Sequence, residues 1–227
     1  MFSNFDLRTF IVGLMVVIIS ISLHEFGHAI SADYLGDDTP RRQGRITLWP
    51  DKHFDTVGLI LVIVSSLVGF GIGYGKPVMV DPGRLKHPNR DMIIIAAFGP
   101  LMNLLLAIVF GLVLRIAYTT HNVNWLYDSE TGTISLAGLF VVTFLMRNLS
   151  LMFFNLLPIY PLDGSKILYG LLPARAAISY NAFMSQYGML ILMVLVMAGG
   201  QFLGTVIGPA VITTANVIIG TDQLFGH

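Results

Sequence analysis

The chain of 227 residues contains no cysteine. That absence excludes disulfides, thiolate metal sites and cysteine nucleophiles. Charge is nearly as scarce: 13 basic and 13 acidic residues make up 11% of the chain, where a soluble domain carries roughly 25%. A soluble monomer with so few charges would expose large apolar patches. The two signs cancel to a formal net charge of zero, which removes the electrostatic case for a nucleic-acid partner. Glutamate occurs only as Glu25 and Glu130. No linker, low-complexity tract or internal repeat divides the sequence, and composition says nothing about oligomeric state.

What the chain has in quantity is apolar surface. Hydrophobic residues make up 55% of it, and the mean hydropathy is +0.75. Five apolar stretches stand out, at 10–32, 58–75, 92–118, 134–158 and about 183–220. The first is long enough to span ~30 Å of hydrocarbon. No small-residue cleavage site follows its apolar core, so it is expected to stay with the protein as a span. These patterns predict an all-α polytopic membrane protein, with the lipid bilayer as its surroundings. A single integral-membrane domain is expected over 1–227, with a core at about 10–175 and C-terminal helices at about 180–220. The expected bundle has five to six transmembrane helices. Residues 45–48 and 77–80 alternate between turn residues and are expected to pair as a short β-hairpin.

Within the first apolar stretch the sequence reads His24-Glu25-Phe26-Gly27-His28. On a helix, positions i and i+4 share a face, so both imidazoles can reach one zinc ion. Glu25 then lies beside the attacking water and can take its proton. Scattering the chain's histidines and glutamates at random gives this pattern in roughly one chain in a thousand. Ionisable groups in a membrane segment are costly and functional by default.

A catalytic zinc needs a third protein ligand. Without cysteine, the candidates are His53, His87, His121, His227, Glu130 and the aspartates. Glu130 falls in the polar 119–133 connection. Asp163 is preferred, because Pro158 and Pro161 break the helix just before it within an apolar region. Broken backbone at membrane depth is tolerated where it lines a cavity or is buried in protein, and a carboxylate there wants a cation.

The stretch 155–164 (Asn-Leu-Leu-Pro-Ile-Tyr-Pro-Leu-Asp-Gly), taken with 24–28, resembles the site-2 protease family of intramembrane zinc metalloproteases. Residues 97–103, with Gly99-Pro100 and Asn103, are similar to that family's G-P-x-x-N helix start. Residues 44–50 and 75–82 resemble a compact bacterial subgroup without PDZ or CBS domain, although Trp49 stands where relatives often have a small polar residue. The resemblance implies His24, His28 and Asp163 as zinc ligands and Glu25 as general base. It favours Asn155 as a donor to the substrate backbone or the oxyanion, and Asn103 is a second candidate for such a role. It also implies a membrane-protein substrate cut in or near a transmembrane segment, as in regulated intramembrane proteolysis. The competing reading is a catalytically silent member acting as a membrane scaffold or complex subunit. A transporter would show inverted repeats, which the sequence lacks.

Depth gives a test of topology. His24 and His28 fall about 4 and 10 Å past the midpoint of the first stretch. Two crossings before Asp163 bring the motifs together, and three separate them. The 58–75 stretch, with its glycines at 69, 71, 73 and 75, is therefore expected to re-enter as a hairpin rather than cross. The connections holding Arg41, Arg42, Arg45 and Lys52, and Lys76, Arg84, Lys86 and Arg90, then share one face with Lys166 and Arg175. The positive-inside rule makes that face cytoplasmic and puts the protein in the cell membrane, with the active site toward the cytoplasm.

Overall fold

A computed structural model describes residues 6–67, 75–197 and 200–220, and among these it contains helices and irregular segments but no strand. The α-helices are α1 (Leu7–Tyr34), α2 (Thr39–Arg42), α3 (Thr56–Leu67), α4 (Pro88–Thr119), α5 (Leu136–Asn155), α6 (Asp163–Leu171), α7 (Ala174–Met197) and α8 (Gly200–Ile219). Four of them are long and apolar enough to cross a membrane: α1, α4, α5 and, over Ala174–Val196, α7. The described apolar part of α8, Gly204–Ile219, is shorter.

The helix starts are written locally. The Asp6 carboxylate accepts from the N–H groups of Arg8 and Thr9 at 3.0 and 3.3 Å, and Ser135 Oγ accepts from Gly138 N–H at 3.0 Å. Both caps satisfy N–H groups that have no partner within the helix. Pro88 opens α4, where a missing N–H costs nothing.

One face of α4 packs Ala107 and Leu114 against Leu145 and Leu149 of α5 and Ala215 and Ile219 of α8. Its other face leaves Leu105, Val109, Leu112 and Ile116 exposed, as expected where lipid takes the place of water. Phe110 of α4 stacks on Phe144 of α5 with ring centroids 4.2 Å apart. Helix α1 differs, because Ser20, Ser22, His24, Glu25, His28 and Ser31 are all buried. Its polar residues face protein rather than lipid.

The bundle has two unlike ends. At one, the Asp128 carboxyl is held below its usual range by N–H groups of Thr131 and Glu130 and, further, by the charge of Arg8 at the start of α1. At the other, the C-terminal end of α1 meets residues 35–55, 75–87 and α6. There Asp81 N–H donates to Asp37 Oδ2 at 2.7 Å, and Arg84 Nη1 donates to Asp38 Oδ1 at 2.7 Å.

The expected hairpin between 45–48 and 77–80 does not form. Side chains take the hydrogen bonds that a strand partner would have supplied. Val78 N–H donates to Glu25 Oε2 at 3.2 Å, the Lys76 carbonyl accepts from Arg45 Nη2, and the Thr47 carbonyl pairs with His53 Nε2 at 2.7 Å. Helix α3 has 12 residues, a length of about 18 Å. The re-entrant turn expected at the glycines 69–73 lies outside the described residues.

Leu145 is fully buried among α4, α5 and α8, whereas Ile116 on the lipid-facing side of α4 is 61% exposed. Leu145→Ala is expected to leave a cavity and cost about 2 kcal/mol or more, while Ile116→Ala changes stability little. Thermal unfolding of the two variants in detergent, read by circular dichroism, checks the difference.

Candidate metal centre

The centre is assembled from three helices. His24 and His28 project from one face of α1, with ring centroids 4.8 Å apart and planes nearly perpendicular. Asp163 is the first residue of α6, where a carboxylate is favoured by the positive end of the helix dipole. Helix α4 passes directly behind the imidazoles at Gly99. A Cβ there would fall onto both His24 Nε2 and His28 Nε2, so only glycine lets the backbone approach so closely. Gly164 does the same for α6, because a Cβ there would overlap the Leu156 carbonyl of the proline-broken turn.

The donor atoms are close and buried. Asp163 Oδ2 lies 3.0 Å from His24 Nε2 and 3.2 Å from His28 Nε2, and the two Nε2 atoms are 3.1 Å apart. Both Nδ1 atoms are already committed to acceptors. His24 Nδ1–H donates to Asn103 Oδ1 at 2.6 Å, and His28 Nδ1–H donates to the Ile95 carbonyl at 2.7 Å. That carbonyl lies one residue before that of Ala96, whose own helical donor would have been the N–H that Pro100 lacks. With Nδ1 protonated, each neutral imidazole presents a lone pair at Nε2. With both rings neutral, two nitrogen lone pairs and a carboxylate oxygen meet here, an arrangement that suits a cation. In a tetrahedral zinc site with bonds of 2.0–2.2 Å, neighbouring ligand atoms sit about 3.3 Å apart. The observed edges fit one face of such a site, and the donor set of two imidazoles and one carboxylate leaves a fourth position open.

The surroundings hold these ligands in place. Asn103 Nδ2 donates to Asn148 Oδ1 at 2.9 Å, and Asn148 Nδ2 donates to Ser20 Oγ and to the Phe144 carbonyl, each at 2.9 Å. Lys166 Nζ donates to Asp163 Oδ1 at 3.2 Å, which turns Oδ2 toward the histidines. Glu25, one residue from His24, is buried at 9% exposure and accepts from Val78 N–H through Oε2. Arg45, only 4% exposed, lies 3.7 Å from the same oxygen. Burial pushes the Arg45 guanidinium below its usual range, and the charge of Glu25 works against that shift.

The remaining candidates lie elsewhere. Asn103, the second candidate for a substrate or oxyanion contact, is fully buried and spends its amide on His24 and Asn148, so its place is behind the ligand. Asn155 Nδ2 donates to the Leu151 carbonyl one turn back in α5. Glu130, His87 and His121 are exposed and outside the cluster, and His227 lies outside the described residues. His53 is fully buried but holds Thr47, and burial pushes its imidazole below its usual value. Arg45 and Asn148 were not singled out by the sequence. A lone arginine in a charged connection carries no signal of burial, and an asparagine in an apolar helix carries only a general one.

Comparison with known proteins gives a consistent picture. The model of Peptidase family M50 matches residues 117–199, a segment that includes Asp163 but not the histidines. Three relatives share the printed name "Putative zinc metalloprotease". YwhC of Bacillus subtilis is 34% identical over 80% of this chain and 78% of its own length. Rip2 of Mycobacterium tuberculosis is 32% identical over 65% of this chain, which spans only 52% of that protein. MJ0611 of Methanocaldococcus jannaschii is 30% identical over 74% of each. No solved structure matches the chain.

His24→Ala and Asp163→Ala are each expected to abolish tight binding of Zn2+ by the detergent-purified chain. Asn103→Ala is expected to weaken it by about 10–100-fold. Competition against a chromophoric chelator measures both effects.

Proposed function

The chain belongs to Peptidase family M50, and on that premise we propose that it is an intramembrane zinc metalloprotease that hydrolyses peptide bonds in or near the transmembrane segments of membrane proteins. The observation that carries this reading is a buried base beside a three-donor metal cluster, set among helices apolar enough to span a bilayer. Zinc is the expected ion, with His24, His28 and Asp163 as its ligands. When bound, it acts as a Lewis acid that polarises the scissile carbonyl and acidifies water.

The chain's own groups do the rest. Glu25 is held through Oε2, which leaves Oε1 to accept the proton of the attacking water. The water oxygen bonds to the carbonyl carbon. As the C–N bond breaks, Glu25 returns the proton to the leaving amine. Asn155 precedes Leu156, whose carbonyl packs on Gly164 beside Asp163. It keeps one amide hydrogen for the substrate backbone or the developing oxyanion.

A helical substrate hides its carbonyls and must unwind to be cut. An extended segment can lie along 75–81, which has no partner strand among the described residues. A buried carboxylate one residue from His24, beside the three-donor cluster, favours the enzyme over a catalytically silent scaffold. The chain is read as one integral-membrane domain of the cell membrane, its active site toward the cytoplasm.

Glu25→Gln is expected to keep one zinc per chain and to lose cleavage of a membrane-protein substrate by about 10²-fold or more. Zinc content beside product formation checks it, and full activity in that variant would sink the mechanism.

The orientation has its own test. A cysteine placed at His121 should react with an impermeant maleimide in intact cells, and one at Lys86 only after lysis. The reverse pattern would invert the topology.

A further inference from the structure

Arg45 is a guanidinium withdrawn from solvent at the membrane end where charge could have stayed hydrated. Removing an ion from water costs several kcal/mol unless its hydrogen bonds are replaced. Here the replacements come from separate segments. Nη1 donates to the Lys52 carbonyl at 2.7 Å, and Nη2 donates to the Lys76 carbonyl and lies 3.7 Å from Glu25 Oε2. Two residues past Lys76, Val78 N–H reaches that same carboxylate oxygen. One hydrogen bond, from Val78 N–H, and the nearby charge of Arg45 thus converge on one oxygen of Glu25, and the cation also holds the segment that brings that donor. Nη1 and Nη2 each serve one backbone carbonyl from a different segment. A loop that needed only to be closed could be closed by apolar contact without burying an ion.

We propose that Arg45 is a positioning residue for the reaction: its guanidinium locks Glu25 Oε2 and the 76–78 segment together, so that Oε1 is the oxygen presented to the reacting water. The inference rests on the protease reading above and adds a residue to it. The planar fork is essential to this role, since a lysine ammonium is a point charge on a flexible stem and does not present the same fixed pair of donors.

The test compares wild type, Glu25→Gln, Arg45→Ala and Arg45→Lys as full-length, detergent-purified chains. Zinc content is measured by mass spectrometry, and affinity for acetohydroxamic acid by calorimetry. This probe chelates zinc and shares a proton with a neighbouring carboxylate, so it reads the base without a known substrate. All four proteins are expected to hold one zinc. Arg45→Ala and Glu25→Gln are expected to lose acetohydroxamate affinity by about tenfold or more, with Arg45→Lys between them and wild type. Free guanidinium should restore the Arg45→Ala protein and leave Glu25→Gln unchanged, a rescue that general loosening of the fold would not give.

Wild-type affinity in zinc-loaded Arg45→Ala overturns the proposal and leaves the protease reading standing. Zinc loss from both Arg45 variants that guanidinium does not reverse also overturns it, because Arg45 would then hold the whole centre rather than the base. A wild-type chain that binds no zinc overturns the protease reading and this inference with it. Zinc without acetohydroxamate binding in the wild type overturns the inference too, for the base would then have no open position to serve.

Discussion

Three metal-ligating groups brought together and buried between helices are the constraint around which the rest is organised. Two imidazole nitrogens and a carboxylate oxygen at 3.0–3.2 Å can turn their lone pairs on one shared cation when the rings are neutral. The neighbouring structure keeps them in that state. Each Nδ1 proton is committed outward, and Lys166 holds the carboxylate oxygen that faces away from the histidines. The fold spends its buried polar groups on preorganising a site for an ion, and a site assembled in advance loses little entropy when the ion arrives.

Proline and glycine do the mechanical part. Pro158 and Pro161 end one helix and deliver Asp163 at the first position of the next, while Pro100 lies inside the continuous α4, next to Gly99 behind the imidazoles. Gly99 and Gly164 remove the atoms that would otherwise hold the three helices apart. Around this compact centre the remaining contacts are ordinary membrane packing, with small residues such as Ala107 and Ala215 inside and long aliphatic ones outward.

Much of this was legible in the sequence, because the signals were short-range. The spacing of His24, Glu25 and His28 needs only a helix to put them on one face, and the two prolines before Asp163 announce a break wherever they occur. The meeting of the two motifs across 139 positions was implied by the family resemblance, and the count of crossings took it as a premise. What stayed hidden depended on partners far away in the chain. Residues 45–48 and 77–80 carry the alternation of strands, yet His53 claims the Thr47 carbonyl and Glu25 the Val78 N–H. Arg45 reads as one of several surface charges that set topology, and only the packed structure withdraws it from solvent. Asn103 could be read either as a donor to substrate or as a group packed between helices, because the sequence does not reveal which side of α4 the imidazoles occupy.

The row from His24 through Asn103 and Asn148 to Ser20 has a direction. Each amide uses its oxygen toward one neighbour and its nitrogen toward the next. Neither can flip alone without setting like against like, and flipping both would strip the Phe144 carbonyl of its second donor. The handedness of this row is therefore a collective property of α1, α4 and α5. The tautomer of one imidazole is remembered by the bundle as a whole, so the helices cannot slide past one another without erasing it.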